Sequence, residues 1–277
     1  MIMLPATKSI PCTVLILTRN SAESLEQCLQ NLAPFREILV HDGNSVDGTV
    51  AIAKRFGARV EKQYDTDEPS VRVKNFTEIR LKQRADATED WVLYLDADEE
   101  LSDALVEDIA AFFKADPAPK TVVKVPRLPN IDGKIRRAGI FYPEIVPRIH
   151  HRKSGCTLKE GKTVHEKYVY DASFKEVILP HPLVVPLPSV SDLRRKDDRY
   201  ITLEVERVRR DGMAWSVFLR WVVLREPLII LSLIMRMLIF GPRYLIRDSV
   251  PMSHDFRYVR YHWRLLRAMV GEMLRRK

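Results

Sequence analysis

Ile38-Leu39-Val40-His41-Asp42-Gly43-Asn44-Ser45-Val46-Asp47-Gly48-Thr49 and, further along, Trp91-Val92-Leu93-Tyr94-Leu95-Asp96-Ala97-Asp98-Glu99-Glu100 decide the fold. Each is a short β-prone apolar run broken off by turn-forming Asp or Gly, which reads as a buried strand. The carboxyl ends of such strands open into the crevice where open α/β sheets bind ligands. Asp96 and Asp98, one residue apart, can hold a hard divalent cation that also touches substrate phosphates. The pattern points to an enzyme acting on a phosphate-bearing donor.

Working outward, strand and helix patterns alternate through the first hundred residues, as in a parallel sheet. Thr13 to Thr18 reads as the first strand. A helix from about Ser21 should bury Leu25, Cys28, Leu29 and Leu32. Asp47 can cap a helix over Thr49 to Phe56, which Gly57 would end. Ala58 to Glu61 is a short strand, Val73 to Ala85 a basic helix, and Asp103 to Lys114 a further helix. From Pro117 to Pro188 the pattern changes to short strands and turns, with Lys120 to Arg127 and Gly133 to Ile140 expected as strands joined through a turn at Asp132-Gly133. Residues 191 to 210 return to a polar helix.

The order of these motifs resembles family 2 glycosyltransferases, whose nucleotide-sugar-binding fold is called GT-A. Val14-Leu15-Ile16-Leu17-Thr18-Arg19-Asn20 resembles the family's first strand and Thr-x-Asn turn, although Ser21 stands where an acidic residue is more usual. His41 to Thr49 is similar to its Asp-rich second-strand motif, and Arg72-Val73-Lys74-Asn75-Phe76 to a basic-Asn segment before the Asp-x-Asp motif, which Asp96-Ala97-Asp98 resembles. Asn130 to Lys134, Phe141 to Glu144, Pro147-Arg148-Ile149 and Val164-His165-Glu166 follow in the order of the subgroup that acts on lipopolysaccharide core and related bacterial surface glycans. The likeness covers roughly residues 10 to 190. It implies an α/β, Rossmann-like, mixed and mostly parallel sheet flanked by helices, with the donor half in about 10–115 and the acceptor half in about 116–190. Residues 191–277 would be a helical, membrane-associating segment.

The resemblance also assigns roles. Thr18, Asn20, Asp42, Arg72, Lys74, Asn75 and Asp96 would bind the nucleotide-sugar, and Asp98 with Asp96 the cofactor, Mn²⁺ or Mg²⁺. Inverting transfer needs a carboxylate that takes the acceptor's proton as the hydroxyl attacks. Glu166 is the candidate, with His165 beside it, and Glu99 is the rival because it adjoins the metal site. Arg148 would pair with an acidic group or a phosphate. Each residue also has an ordinary reading: Asp42 as a turn residue, Arg72 and Lys74 as a solvated face, His165-Glu166 as a structural pair. A phosphatase of the Asp-x-Asp-x-Thr type would need a hydroxyl where Glu100 stands. A sugar nucleotidyltransferase would need a Gly-rich N-terminal phosphate loop. Open alternatives are transfer to polyprenyl phosphate, or a membrane-bound binding module that has lost catalysis.

The chain has 277 residues, 46% hydrophobic and 30% charged, enough for a full core. Its three cysteines have no paired spacing, which fits a reducing cytoplasm. Met1 to Pro11 lacks a signal-peptide core. From Met213 onward, 12 Arg or Lys face 4 Asp or Glu, a surplus that accounts for the whole net charge of +8. The same segment holds the most apolar runs, Trp215 to Leu224 and Pro227 to Phe240. Basic and apolar together suggest anionic lipid, at the cytoplasmic face of the inner membrane, and no nucleic-acid partner. Uninterrupted apolar length from Pro227 is 9 residues, so an in-plane helix is expected before a spanning one. In the last helix Arg257, Arg260, Arg264 and Arg267 form one stripe and Val259, Trp263, Leu266, Val270 and Met273 another.

Overall fold

The computed structural model describes residues 9–73, 75–158 and 168–275. Strands and helices alternate first: β1 (Ile10–Thr18), α1 (Ala22–Leu29), β2 (Phe35–Asp42), α2 (Thr49–Arg55), β3 (Arg59–Lys62), α3 (Phe76–Asp86) and β4 (Trp91–Asp96). Their strands lie in the order β3-β2-β1-β4, all parallel, with Leu17 facing both His41 and Asp96. The apolar runs read from the sequence are these strands, buried on both faces. Leu25, Cys28, Leu29 and Leu32 are buried as their spacing requires. Gly57, at φ 75°, ends α2 in the left-handed conformation.

The chain continues through β5 (Glu100–Leu101), α4 (Asp103–Lys114), β6 (Thr121–Ile131), β7 (Lys134–Ile135), β8 (Glu144–His151), β9 (Thr157–Leu158), β10 (Tyr168–Val169), β11 (Lys175–Ile178) and β12 (Leu183–Pro186). β8 enters antiparallel between β4 and β6, so the sheet is mixed beyond its parallel half. α4 spans the expected residues, and the Ser102 side chain accepts a hydrogen bond from Leu105 N. Asp132 and Gly133 both take positive φ, 51° and 75°, in a two-residue hairpin joining β6 to β7. The expected strand over Gly133 to Ile140 is cut to Lys134–Ile135. Past it Arg137 N donates to Asp248 O and Val250 N to Ala138 O, so these backbone groups bond a loop rather than a sheet.

The helices that follow are α5 (Val190–Asp211), α6 (Trp215–Arg220), a π-helical turn (Trp221–Arg225), α7 (Glu226–Ile239), a 3₁₀ turn (Gly241–Leu245) and α8 (Met252–Leu274). The chain forms two compact units, Met1–Arg127 with Glu144–Val185, and Leu128–Pro143 with Pro186–Lys277. Against the expected boundary at 190/191, the chain enters the second unit at Pro186, and residues 128–143 belong with it too. Within that unit Ile201 and Val208 of α5 and Leu265, Met269 and Met273 of α8 share one core.

The apolar stripe of α8 also departs from expectation. Val259, Leu265, Met269 and Met273 are buried, but Trp263 is 53% exposed. α8 packs against both α5 and α7, which widens and turns its inward face. Part of the arginine stripe is used inside the unit: Arg257 pairs with buried Asp197 at 2.5 Å, and Arg264 with Asp198. Among the described residues no helix is long and apolar enough to cross a membrane.

Candidate active site

The sheet reverses direction of build at β1, which has β2 on one side and β4 on the other. That switch point is where α/β sheets leave a crevice at the carboxyl ends. Thr18 and Asp96 sit at those ends.

One wall is a knot of loops. Thr18 Oγ1 and Ser45 Oγ donate to Asp42 Oδ1 at 2.7 and 2.6 Å, and Ser45 N donates to Oδ2 at 2.7 Å. Asp42, 4% exposed, therefore organises the turn after β2 with its own carboxylate. Asn20, at φ 51°, accepts from Val46 N at 2.9 Å and donates to Ser70 Oγ at 2.9 Å. Asn44 Nδ2 donates to the carbonyls of Thr66 and Glu68. The backbone of Val71 lies so close to Gly43 that a Cβ there would stand 2.6 Å from Val71 O. Asp47 accepts from both Ala22 N and Thr49 N, the first residues of α1 and α2, whose N-caps are Ser21 and Gly48 rather than Asp47 itself.

The other wall is the turn after β4. Asp96 Oδ1 accepts from Arg80 Nη2 at 2.5 Å, while its side chain is half exposed. Loss of solvent raises the Asp96 carboxyl, but the guanidinium groups of Arg80, then Arg148 and Arg127, outweigh it and hold the pKa below the usual range. Asp98 is exposed at the turn. Partial desolvation, then the neighbouring Asp96 charge, pushes its carboxyl up. Glu99 lies beneath, 1% exposed. Its Oε2 accepts from Asp96 N at 3.1 Å, Oε1 accepts from Arg148, and Arg127 stands 3.8 Å away. Burial, and the charge of Asp96, push Glu99 up to about 7 despite the two arginines.

These residues fit a divalent cation of the kind that takes one or two carboxylates and completes its shell with water and substrate phosphates. The carboxylates of Asp96 and Asp98 offer hard oxygens, and, after desolvation, the charge of Asp96 raises the Asp98 carboxyl, a repulsion that positive charge would relieve. Among the described residues there is no group of three or more His, Cys, Asp or Glu that could hold a metal alone. Chemically, the turn can hold a diphosphate through an ion, with Arg80, Arg127 and Arg148 setting the local field.

Of the other expected residues, Arg72 is exposed in the loop before α3. Helix α3 begins at Phe76 rather than Val73, because Asn75 is its N-cap and accepts from Glu78 N at 3.4 Å. Lys74, His165 and Glu166 lie outside the described residues. Arg80 had no signal in the sequence. α3 turns a polar face inward, Thr77, Arg80 and Gln83, because Arg80 and Gln83 donate to the carbonyls of Leu15 and Ile16 on β1. Apolar periodicity cannot find such a face.

A family model described as glycosyl transferase family 2 matches residues 13–167. An uncharacterized glycosyltransferase of Rickettsia bellii is 29% identical over 168 residues, covering 60% of this chain and 54% of the relative. The SPbeta prophage-derived glycosyltransferase SunS of Bacillus subtilis is 28% identical over 229 residues, covering 76% and 48%. The chain thus spans about half the length of these curated relatives. Among solved structures, S. aureus TarS 1–349 in complex with UDP-GlcNAc aligns with a TM-score of 0.46 at 15% identity, over 64% of this chain and 59% of that one. Mannosyl-3-phosphoglycerate synthase of Rubrobacter xylanophilus aligns with a TM-score of 0.45 at 16% identity, over 77% and 80%.

Proposed function

The chain belongs to glycosyl transferase family 2, and on that premise we propose that it moves a sugar, with inversion, from a UDP-linked donor to an acceptor. In this reading the acceptor is a lipid-linked or lipopolysaccharide-type surface glycan, met at the cytoplasmic face of the inner membrane. The observation that carries the proposal is the pair Asp96 and Asp98 at the carboxyl end of β4, beside the switch point at β1. Asp98 and Asp96 would hold Mn²⁺ or Mg²⁺, which neutralises charge on the leaving diphosphate. Arg80 keeps Asp96 ionised and aimed. The loops tied by Asn20, Asn44 and Ser70 would close the nucleotide side, and Arg72, exposed in the loop before α3, would be free to meet a phosphate. Glu166 is assigned the acceptor's proton, with His165 as neighbour.

The test is donor turnover by the purified protein across UDP- and GDP-sugars with Mn²⁺, followed by mass spectrometry. Turnover should stop in EDTA, and Asp98→Ala should lose both transfer and metal-dependent nucleotide binding with an unchanged fold. The loss should amount to several kcal/mol in the barrier. An active Asp98→Ala enzyme, or full turnover in EDTA, overturns the metal assignment.

A further inference from the structure

The run from α6 through the π-helical turn into α7 buries only a narrow stripe. Phe218, Trp221, Glu226 and Leu233 face inward at roughly helical steps, with Val222, Ile229, Ile230 and Met237 half-buried along the same line. An ordinary surface helix is polar on its outer face. Here Leu219, Leu224, Leu228, Leu231, Leu238 and Ile239 are each more than half exposed. An exposed apolar face of this length marks an interaction site.

Its charges say what kind. Of the acidic residues from Met213 onward, Glu226, Asp255 and Glu272 are buried, and only Asp248 is exposed. Glu226 is held by His262 Nδ1 at 2.7 Å. Arg220, Arg247, Arg260 and Arg267 are exposed. Arg236 and Arg243 lie over the rings of Phe141 and Phe240, at 5.4 and 4.7 Å from the centroids. Arg225, Arg257 and Arg264 are paired within the unit, but the segment still carries exposed apolar side chains together with the exposed arginines Arg220, Arg247, Arg260 and Arg267, against one exposed acidic residue, Asp248. Two copies meeting through it would bring two sets of arginines together in a desolvated interface. A bilayer of anionic lipid offers hydrocarbon to the leucines and negative headgroups to the arginines.

We propose that this face docks on anionic lipid, with α6, the π-helical turn and α7 lying in the plane of the bilayer surface. Docking by this face needs nothing of the transfer chemistry above, so the two can fail separately.

Flotation of the full chain tests it, with vesicles of phosphatidylcholine alone and of phosphatidylcholine mixed with phosphatidylglycerol. The protein should float with the mixed vesicles, less strongly but still measurably at high salt. Leu224→Asp, Leu228→Asp and Leu231→Asp combined should abolish flotation and leave the circular dichroism and melting profile intact, since all three side chains are exposed. Arg220→Gln, Arg247→Gln and Arg260→Gln combined should weaken partitioning about a hundredfold at low salt. Protein that stays at the bottom of the gradient with both vesicle types overturns the proposal, as does a triple Leu→Asp variant that floats like the wild type. A lipid-free dimer that the Leu→Asp variant dissociates, without flotation of either, assigns the face to a second copy instead.

Discussion

Glu99 adjoins the paired aspartates, yet its surroundings suit support rather than proton transfer. It is 1% exposed, and both carboxyl oxygens are engaged, one by Asp96 N and the other by Arg148. An acceptor hydroxyl would have to displace those bonds to reach it. Glu99→Gln should therefore weaken metal-dependent donor binding together with turnover, because it disturbs the turn that aims Asp96 and Asp98. Glu166→Gln should lower kcat by about 10²–10⁴-fold with donor affinity nearly unchanged. Steady-state kinetics beside a nucleotide titration separates the two patterns, and their exchange between the variants would make Glu99 the base. His150 is a second buried titratable group, of a different kind. It packs against the rings of Tyr94 and Tyr168, and neither ring nitrogen has a hydrogen-bond partner. Burial, then the nearby Arg84 charge, lowers its pKa from 6.5 to about 3. The folded protein thus keeps His150 neutral where the unfolded chain would protonate it. Its stability is fully present above pH 6.5 and is lost as pH falls toward 3, by up to about 1.4 kcal/mol per pH unit. His150→Phe removes that titration. Urea unfolding should show the variant at least as stable as the wild type at pH 7 and gaining on it steadily below pH 6.5; parallel curves would show that His150 does not titrate this way.

At the scale of elements, the loops after β1 and β2 are held by closeness as much as by hydrogen bonds. Gly43 N donates to Thr18 O at 2.9 Å and Gly43 O accepts from Val71 N at 2.7 Å, which locks the segment carrying Arg72 against the end of the sheet. A methyl group at Gly43 cannot fit without moving Val71. Gly43→Ala should cost about 1–3 kcal/mol of stability and raise the donor KM, read from thermal melts and donor titration. Wild-type behaviour in both would show that the Val71 segment yields freely. This glycine, with Asp42 and the strand before it, was legible in the sequence because a buried parallel strand is a local signal: an apolar run and its punctuation. The same holds for β4 and its acidic turn and for α4, whereas the cap expected at Asp47 falls one residue later, on Gly48. What was not legible depends on pairing at a distance. Arg148 pairs with an acidic group as its sequence context implied, but which one, Glu99, 49 residues away, is decided only by the antiparallel entry of β8 beside β4. α3 brings Arg80 to Asp96 by burying a polar face that has no apolar period. Asn75 is the cap that starts that helix, three residues later than the apolar pattern placed its start.

At the scale of the molecule, the basic and apolar stretch after Met213 is built into the core of the second unit. The second unit does not divide there. α5 ends at Asp211 and Gly212, but its buried side chains Ile201 and Val208 share a core with Leu265, Met269 and Met273 of α8. Asp197, 6% exposed, is satisfied by Arg257 of α8, and Glu272 of α8 takes a two-pronged pair from Arg209. Ending the chain at Gly212 strips the apolar stripe of α5 of its cover and leaves a polar helix with little to pack against. Polar helices of this length gain most of their stability from tertiary packing. The expected result is therefore loss of α5 helicity beyond the residues deleted, and self-association through the bared stripe. Far-ultraviolet circular dichroism compared with the helix content that remains, together with light scattering of the eluted protein, measures both. A monodisperse shortened protein with α5 intact would mean that α5 stands without α8. The apolar outer face of α6 and α7 is better examined by point substitution, since exposed leucines can be changed without opening the core beneath them.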